Sequence, residues 1–423
     1  FLQDSRTSRA LWSAVRDVAP FAAKGRLGAW TVWRIICPPA SGVAFGKALC
    51  RETGGDVIYD WGGGLIWAAL PPSRDGHADA IRSKLKAIGG HATLIRADDG
   101  PVPDAPLLRE LAEEPALEGV KLVAEPWDVG ADGYALGMFP TPWREWSDRF
   151  RDDVRDLWRG RSSWAVGAAR LTGSAEVFRR DGRDATAGVN KVATHDGFTL
   201  ADLVSFDRPV DEGHDQRAWS GGLEGPTAEL AVREGRRRRQ RALLATVACA
   251  QGVPLLLSGD EVGRTQGGRA NGYTLDPREW GVHWLDADWD LAAWVAAAFA
   301  LRHAHPVLRR AGWVDHDDPR IRWRAPDGTP LDPDDWTGGD LAALVVELDG
   351  TDLGDSRVVL VGATTGEEVA VTLPEGRWRV ALHSEWARPL RPGDQPVVTG
   401  PLDVTGPAFV VLEERLGPPV SGQ

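Results

Sequence analysis

The sequence predicts an α/β chain: a partial (β/α) barrel, its second half, flanked by an N-terminal ferredoxin-like α+β unit and a C-terminal β-sandwich. Three observations predict it. Residues 1–97 follow the order β-α-β-β-α-β. Apolar runs without polar alternation recur from 98 to 311, separated by helical spacing, as buried parallel strands do. From 312 to 423 short strands alternate with Gly, Pro and Asp turns. The chain therefore divides into an α+β region (1–97), a partial barrel (98–311) and a β-sandwich (312–423).

In the first region "TVWRII" (31–36) is strand-like and "ASGVAFGKALCRET" (40–53) has helical spacing. "DVIYDW" and "LIWAAL" are two strands joined by the glycines at 62–64, which read as a hairpin turn because no helix start follows to make a phosphate cradle. "DGHADAIRSKLKAIGG" (75–90) is a helix closed by Gly-Gly, and "HATLIRA" (91–97) a last strand. "DDGPVPDAP" (98–106) is a turn-rich joint.

Beyond the joint, "VKLVAE" (120–125), "NKVATHD" (190–196) and "GVPLLLSGDE" (252–261) are strands that end in acidic residues or His-Asp. Side chains at the C-terminal ends of barrel strands converge on one mouth. The basic run "GRRRRQR" (235–241) reads as the solvated start of a helix continuing into "ALLATVACAQG". After "AAAFALRHAHPVLRR" (297–310) the helical spacing stops, and "RIRWRA", "LAALVVEL", "SRVVLVGA", "EVAVTL", "RWRVALHS" and "AFVVLEE" supply the strands of the sandwich. Half a barrel leaves two parallel edges with unpaired backbone groups, which predicts that the first region covers one of them or that chains self-associate.

Composition narrows the function. With 43% hydrophobic and 26% charged residues the chain folds, and its net charge of −12 disfavours nucleic acid and anionic membranes as partners while suiting an uncharged substrate. Three cysteines without a C-x-x-C pair exclude a disulfide framework and a zinc site, so no metal is expected and a reducing compartment is. No membrane span and no signal segment is read from the sequence, which predicts a cytoplasmic protein. No dinucleotide fingerprint is present and no cofactor is expected. Twenty tryptophans against three tyrosines offer flat faces that stack on sugars or fill cores.

Glu125 and Asp196, each at a predicted strand terminus, are the candidate catalytic pair. Glycoside hydrolysis needs a protonated acid for the leaving oxygen and an ionised carboxylate facing the oxocarbenium ion. Between Pro126 and Trp127 a carboxyl is expected to be poorly solvated, which suits the acid. His195, beside Asp196, can hold sugar hydroxyls. On spacing alone a helix N-cap after a strand accounts for either acid equally well.

The segments "LLRELAEEPALEGVKLVAEPWDVGADGYALGMFPTPWREWSDRFRDDVRDLW", "VATHDGFTLADLVSF" and "QGVPLLLSGDEVGRTQGG" resemble, in this order, those of bacterial glycogen debranching enzymes, isoamylase-type members of the α-amylase superfamily. The resemblance runs from about residue 98 to the end. It implies cleavage of α-1,6 branch points in glycogen-like glucan with retention, Glu125 as general acid/base, Asp196 as transition-state stabiliser, His195 as a subsite ligand, and Trp127 and Trp143 as stacking platforms. That family carries its nucleophile in a Gly-Phe-Arg-Phe-Asp stretch, which this sequence lacks, so the nucleophile is unassigned and activity is expected to be impaired. "LIRADD" offers Asp98 as a substitute. Residues 1–97, through "LWSAVRDVAPFA", "VWRIICPPASG", "VIYDWGGGLIWAALP" and "GGHATLIRA", resemble the C-terminal cap of the FAD-binding subunit of glycolate oxidase, whose flavin is held mainly by another domain. Two alternative functions follow: a non-catalytic glucan-binding scaffold, and a fragment of a flavin-linked oxidase subunit.

Overall fold

The computed structural model describes residue 21, residues 30–96 apart from 72, 74 and 75, and residues 106–415 apart from 129–132, 181, 212, 316, 333, 334, 339 and 340. Asp98 lies outside the described residues. The chain forms two compact units, residues 1–102 and 103–423.

In the first unit β1 (Thr31–Ile36), β2 (Asp56–Asp60), β3 (Leu65–Leu70) and β4 (His91–Arg96) form one antiparallel sheet in the order β2-β3-β1-β4. Helices α1 (Pro39–Thr53) and α2 (Ala78–Ile88) bury Phe45, Leu49, Ile81 and Leu85 with Trp33, Ile35 and Ile66 of the sheet. Pro39 starts α1, where a missing N–H costs nothing, and Gly54 ends it at φ 74. The hairpin between β2 and β3 turns through Gly62 (φ 63) and Gly63 (φ 94). Gly42 of α1 is required by a close approach: a Cβ there would fall 1.8 Å from the Gly63 carbonyl oxygen.

The second unit contains a four-stranded parallel sheet, β5 (Val123–Ala124), β6 (Arg144–Ser147), β7 (Gly188–Asn190) and β8 (Val253–Pro254), paired in that order. These strands are shorter than the apolar runs suggest, and β6 has no counterpart in the sequence reading, because "REWS" alternates like a half-buried strand and carries three polar side chains. Among the described residues neither β5 nor β8 has a second strand partner. Beyond α3 (Pro106–Glu113), helices α4 (Asp148–Trp158), α5 (Trp164–Leu171), α6 (Leu230–Cys249) and α7 (Trp289–Ala304) bury Phe150, Trp158, Trp164, Leu244 and Trp294 in one core.

The C-terminal module is a six-stranded antiparallel sheet in the order β14-β13-β16-β11-β10-β9, from β9 (Ile321–Arg324), β10 (Ala343–Leu348), β11 (Val358–Ala363), β13 (Trp378–His383), β14 (Val397–Val398) and β16 (Ala408–Glu414). A two-stranded sheet of β12 (Glu368–Val371) and β15 (Leu402–Thr405) lies apart from it. Val345, Val359, Val361 and Val410 pack with Val371 and Val404 of this pair, whereas Leu344, Val346, Leu360 and Val411 share the helical core. The large sheet is thus covered on one face by helices and on the other by the small pair, which explains why β10 and β11 are buried throughout. Gly362 makes room for that contact: a Cβ there would meet the Trp164 ring at 2.0 Å.

The basic run departs from the sequence reading. Arg236, Arg239 and Arg241 of α6 are buried. Arg236 donates to the carbonyls of Ser220, Leu223 and Gly225, Arg239 to that of Trp158 while lying 3.6 Å over the Trp219 ring, and Arg241 to that of Ser384. The helix enters the core at the run, so its arginines satisfy loop carbonyls that water cannot reach.

Candidate active site

The parallel register pairs Ala124 with Glu145, so Glu125 emerges past the C-terminal end of β5, level with Trp146. From the end of β7 the chain runs through Lys191–Thr194 to His195 and Asp196. One oxygen of Glu125, one ring nitrogen of His195 and one oxygen of Asp196 all lie within 4.8 Å of one another. His195 Nε2 is 3.3 Å from Asp196 Oδ2. The structure thus brings together three sequence-predicted residues from two distant segments, Glu125 and Asp196 exposed and His195 half-buried.

Buried polar groups fix the segment that carries His195 and Asp196. Arg155 of α4, buried, donates to the Val192 carbonyl and to the Gln216 carbonyl at 2.8 Å, tying the approach to His195 to a second loop. Gly197 follows Asp196 at φ 92, and a Cβ there would fall 2.4 Å from Gln216 Oε1, which instead accepts from the Phe198 N–H. Asp196 forms an isolated antiparallel bridge with Asn271, whose N–H donates to Asp211. Asp202 is buried and accepts from the Thr199 and Thr265 hydroxyls and the N–H groups of Gln266 and Gly268. Burial raises its pKa and those hydrogen bonds oppose the rise. Asp260, just past β8, accepts from the Leu200 N–H at 3.0 Å, and burial pushes its carboxyl up to about 7. It is an internal tie and not part of the mouth.

Two expectations need correction. Glu125 is exposed, although Pro126 beside it is buried and Trp127 half-buried. β5 is two residues long, and among the described residues no strand pairs with its outer side. Trp143 is not brought to the group: it precedes β6, at the opposite end of the sheet from Glu125, packs its ring 5.7 Å from Phe139 and donates its indole N–H to the Leu108 carbonyl. The aromatic neighbours of the trio are Trp146, 5.6 Å from the His195 ring, and Tyr273, 6.1 Å from it. The sequence signal for Trp146 was strand alternation in "REWS", which points Trp146 and Arg144 to one face. Lys191 is buried between Trp127 and Trp146.

A polar cavity of about 620 Å³ opens beside Asp196, lined among others by His214, Gln216, Arg217, Asn271 and Tyr273. Its volume suits a small oligosaccharide. Among the described residues no third carboxylate joins Glu125 and Asp196. The trio is of a kind that can gather a cation, but it is exposed and lies near the Lys191 ammonium, and we assign it no metal. No described helix is long and apolar enough to cross a membrane.

Several curated proteins similar to the chain are named glycogen debranching enzyme. That of Cronobacter sakazakii is 38% identical over 334 residues, 76% of this chain and 47% of its own length. That of Pectobacterium atrosepticum is 38% identical over 315 residues, 72% of this chain and 46% of its own. The chain spans about half the length of the curated relatives it matches. Among solved structures, a type I pullulanase from Bacillus subtilis complexed with maltose has a TM-score of 0.56 at 18% identity, covering 85% of this chain and 50% of that one. A pullulanase from Anoxybacillus complexed with maltotetraose has a TM-score of 0.53 at 20% identity, covering 73% and 41%. At such identities the likeness speaks for the fold alone. No protein-family model matches the chain. The chain is therefore similar, over about three quarters of its length, to curated enzymes named glycogen debranching enzyme, and it shares its fold with pullulanases.

Proposed function

We propose that the chain carries part of a glycoside hydrolase site for α-1,6 branch points of glycogen-like glucan. Its four parallel strands are the second half of a (β/α) barrel, with the mouth at Glu125 and Asp196. Glu125 protonates the leaving oxygen and then activates water, Asp196 faces the oxocarbenium ion, and His195 and Trp127 hold glucosyl units. The observation that carries this reading is the convergence of Glu125, His195 and Asp196 within 4.8 Å at the C-terminal ends of parallel strands. The curated relatives named glycogen debranching enzyme support the substrate class.

A retaining mechanism also requires a nucleophile. None stands in the described group, so the nucleophile stays unassigned and slow turnover is expected. The test is release of reducing ends from glycogen by the purified protein, against Glu125→Gln and Asp196→Asn. Activity in the parent that both variants lose supports the assignment; activity equal in all three ends it.

Because no third carboxylate joins the pair among the described residues, a second reading is a non-catalytic glucan-binding scaffold. It predicts retardation of the protein in glycogen-containing gels with no reducing ends released. A flavin-linked role predicts a yellow protein. The edges of β5 and β8 that no described strand pairs predict self-association, which sedimentation measures.

A further inference from the structure

Lys191 is the first residue past β7 and only 1% of it is exposed. Its ammonium lies 4.3 Å from the centre of the Trp146 ring and 4.6 Å from that of Trp127. Among the described residues no hydrogen-bond acceptor or carboxylate pairs with it. Two indole faces compensate a desolvated cation only in part. A methionine would fill the same space at no such cost, so packing alone does not account for an amine here.

The two indoles belong to the two halves of the site. Trp127 follows Glu125 by two residues, and Trp146 touches His195. The charges that act on the amine are Arg151, Arg155 and Asp148 of α4 and Glu125 itself.

We propose that Lys191 is a positioning residue of the mouth: its ammonium holds Trp127 and Trp146 in place on either side and feels the charge of Glu125. The inference rests on the reading of Glu125 as the acid/base. Burial, aided by Arg151, pulls the amine down to about 7, and Glu125 and Asp148 oppose that shift. Below neutrality Lys191 is a cation beside Glu125. Above it the amine is neutral, its attraction for the indole faces is lost and so is its charge beside the acid.

The chain has six lysines, so protein labelled biosynthetically with [13Cε]lysine resolves each of them by NMR. One resonance is expected to titrate near pH 7, to vanish in Lys191→Met, and to move its midpoint down by about half a unit in Glu125→Gln, the scale of an ion interaction across a partly solvated gap. Lys191→Arg supplies the assignment if Lys191→Met fails to fold. In glycogen hydrolysis the inflection near neutrality disappears in both variants, with activity above it kept by Lys191→Arg and lost by Lys191→Met. A Lys191 midpoint above pH 9, or one that Glu125→Gln leaves unmoved, overturns the proposal. If the parent protein releases no reducing ends, the hydrolase reading fails, while the NMR midpoints still decide the coupling.

Discussion

Asp260 offers the sharpest test of how the site segment is held. Its carboxyl is 1% exposed, accepts one hydrogen bond from the Leu200 N–H, and has a second oxygen, Oδ2, without a partner. Burial lifts it from 3.8 to about 7 in the folded chain, opposed by the Leu200 hydrogen bond and by Arg264 and Arg155. Between these two values the folded state keeps a proton that the unfolded state has lost. Stability from this group is therefore complete below pH 4 and falls as pH rises through the folded value. Roughly three units at 1.36 kcal/mol each amount to about 4 kcal/mol lost by pH 8. Asp260→Asn keeps the acceptor for Leu200 and cannot ionise. The variant should match the parent near pH 4 and exceed its stability by about 4 kcal/mol at pH 8, the gap widening by about 1.4 kcal/mol per unit between pH 5 and 7. Urea unfolding followed by near-ultraviolet circular dichroism at pH 5, 6, 7 and 8 measures it. Taking the difference cancels the opposite trend from His383, which burial pushes down to about 4 and whose stabilising effect is lost as pH falls. A gap that does not change with pH would refute the reasoning, because an ionised Asp260 would then cost the fold nothing.

Other predictions concern separate ties. Glu145 is fully buried and accepts from the Gly137 N–H at 2.6 Å and from Arg183; Arg183→Met strands that charge and should cost about 3–5 kcal/mol in urea unfolding, with Glu145→Gln in the same chain recovering much of it. His305 stands 2.8 Å from both Asp355 and Glu413, which raise its pKa despite burial. Its contribution is complete below the ordinary histidine value and is lost as pH rises through the raised one, so melting temperatures from pH 6 to 9 should fall less in His305→Gln than in the parent. Gly197→Ala forces a side chain into φ 92 and against Gln216, and should lower stability by at least about 1 kcal/mol and weaken glucan retention in gels, while Gly182→Ala, which meets nothing within 4 Å, should leave retention unchanged.

The sequence made legible what depends on local pattern. Helix α1, strands β1 and β4 and the hairpin glycines follow from periodicity and from left-handed turn residues, both of which are fixed within a few positions of the chain. Strand ends on a parallel sheet project to one side, which made Glu125, His195 and Asp196 candidates, but spacing alone left an N-cap equally open, and the resemblance of their motifs singled them out. What stayed hidden depends on partners far away in sequence. Nothing local distinguishes a solvated arginine run from one whose members bond the carbonyls of Ser220, Trp158 and Ser384. Likewise, "EPWD" does not reveal that β5 has no second strand partner among the described residues, nor that Glu125 is exposed beside it.

Lys191 joins these two kinds of information. In "NKVATHD" it reads as a polar interruption near the end of an apolar strand, a feature that by itself argues for a turn. Only the parallel pairing of β6 with β7 brings Trp146 beside it, and only the short β5 brings Trp127 from the other side. An apolar residue would have satisfied the strand pattern, and an exposed lysine would have satisfied the turn. A cation enclosed by two indoles satisfies neither, and where local and tertiary preferences conflict beside two converging carboxylates, function is the economical account of the residue that is kept.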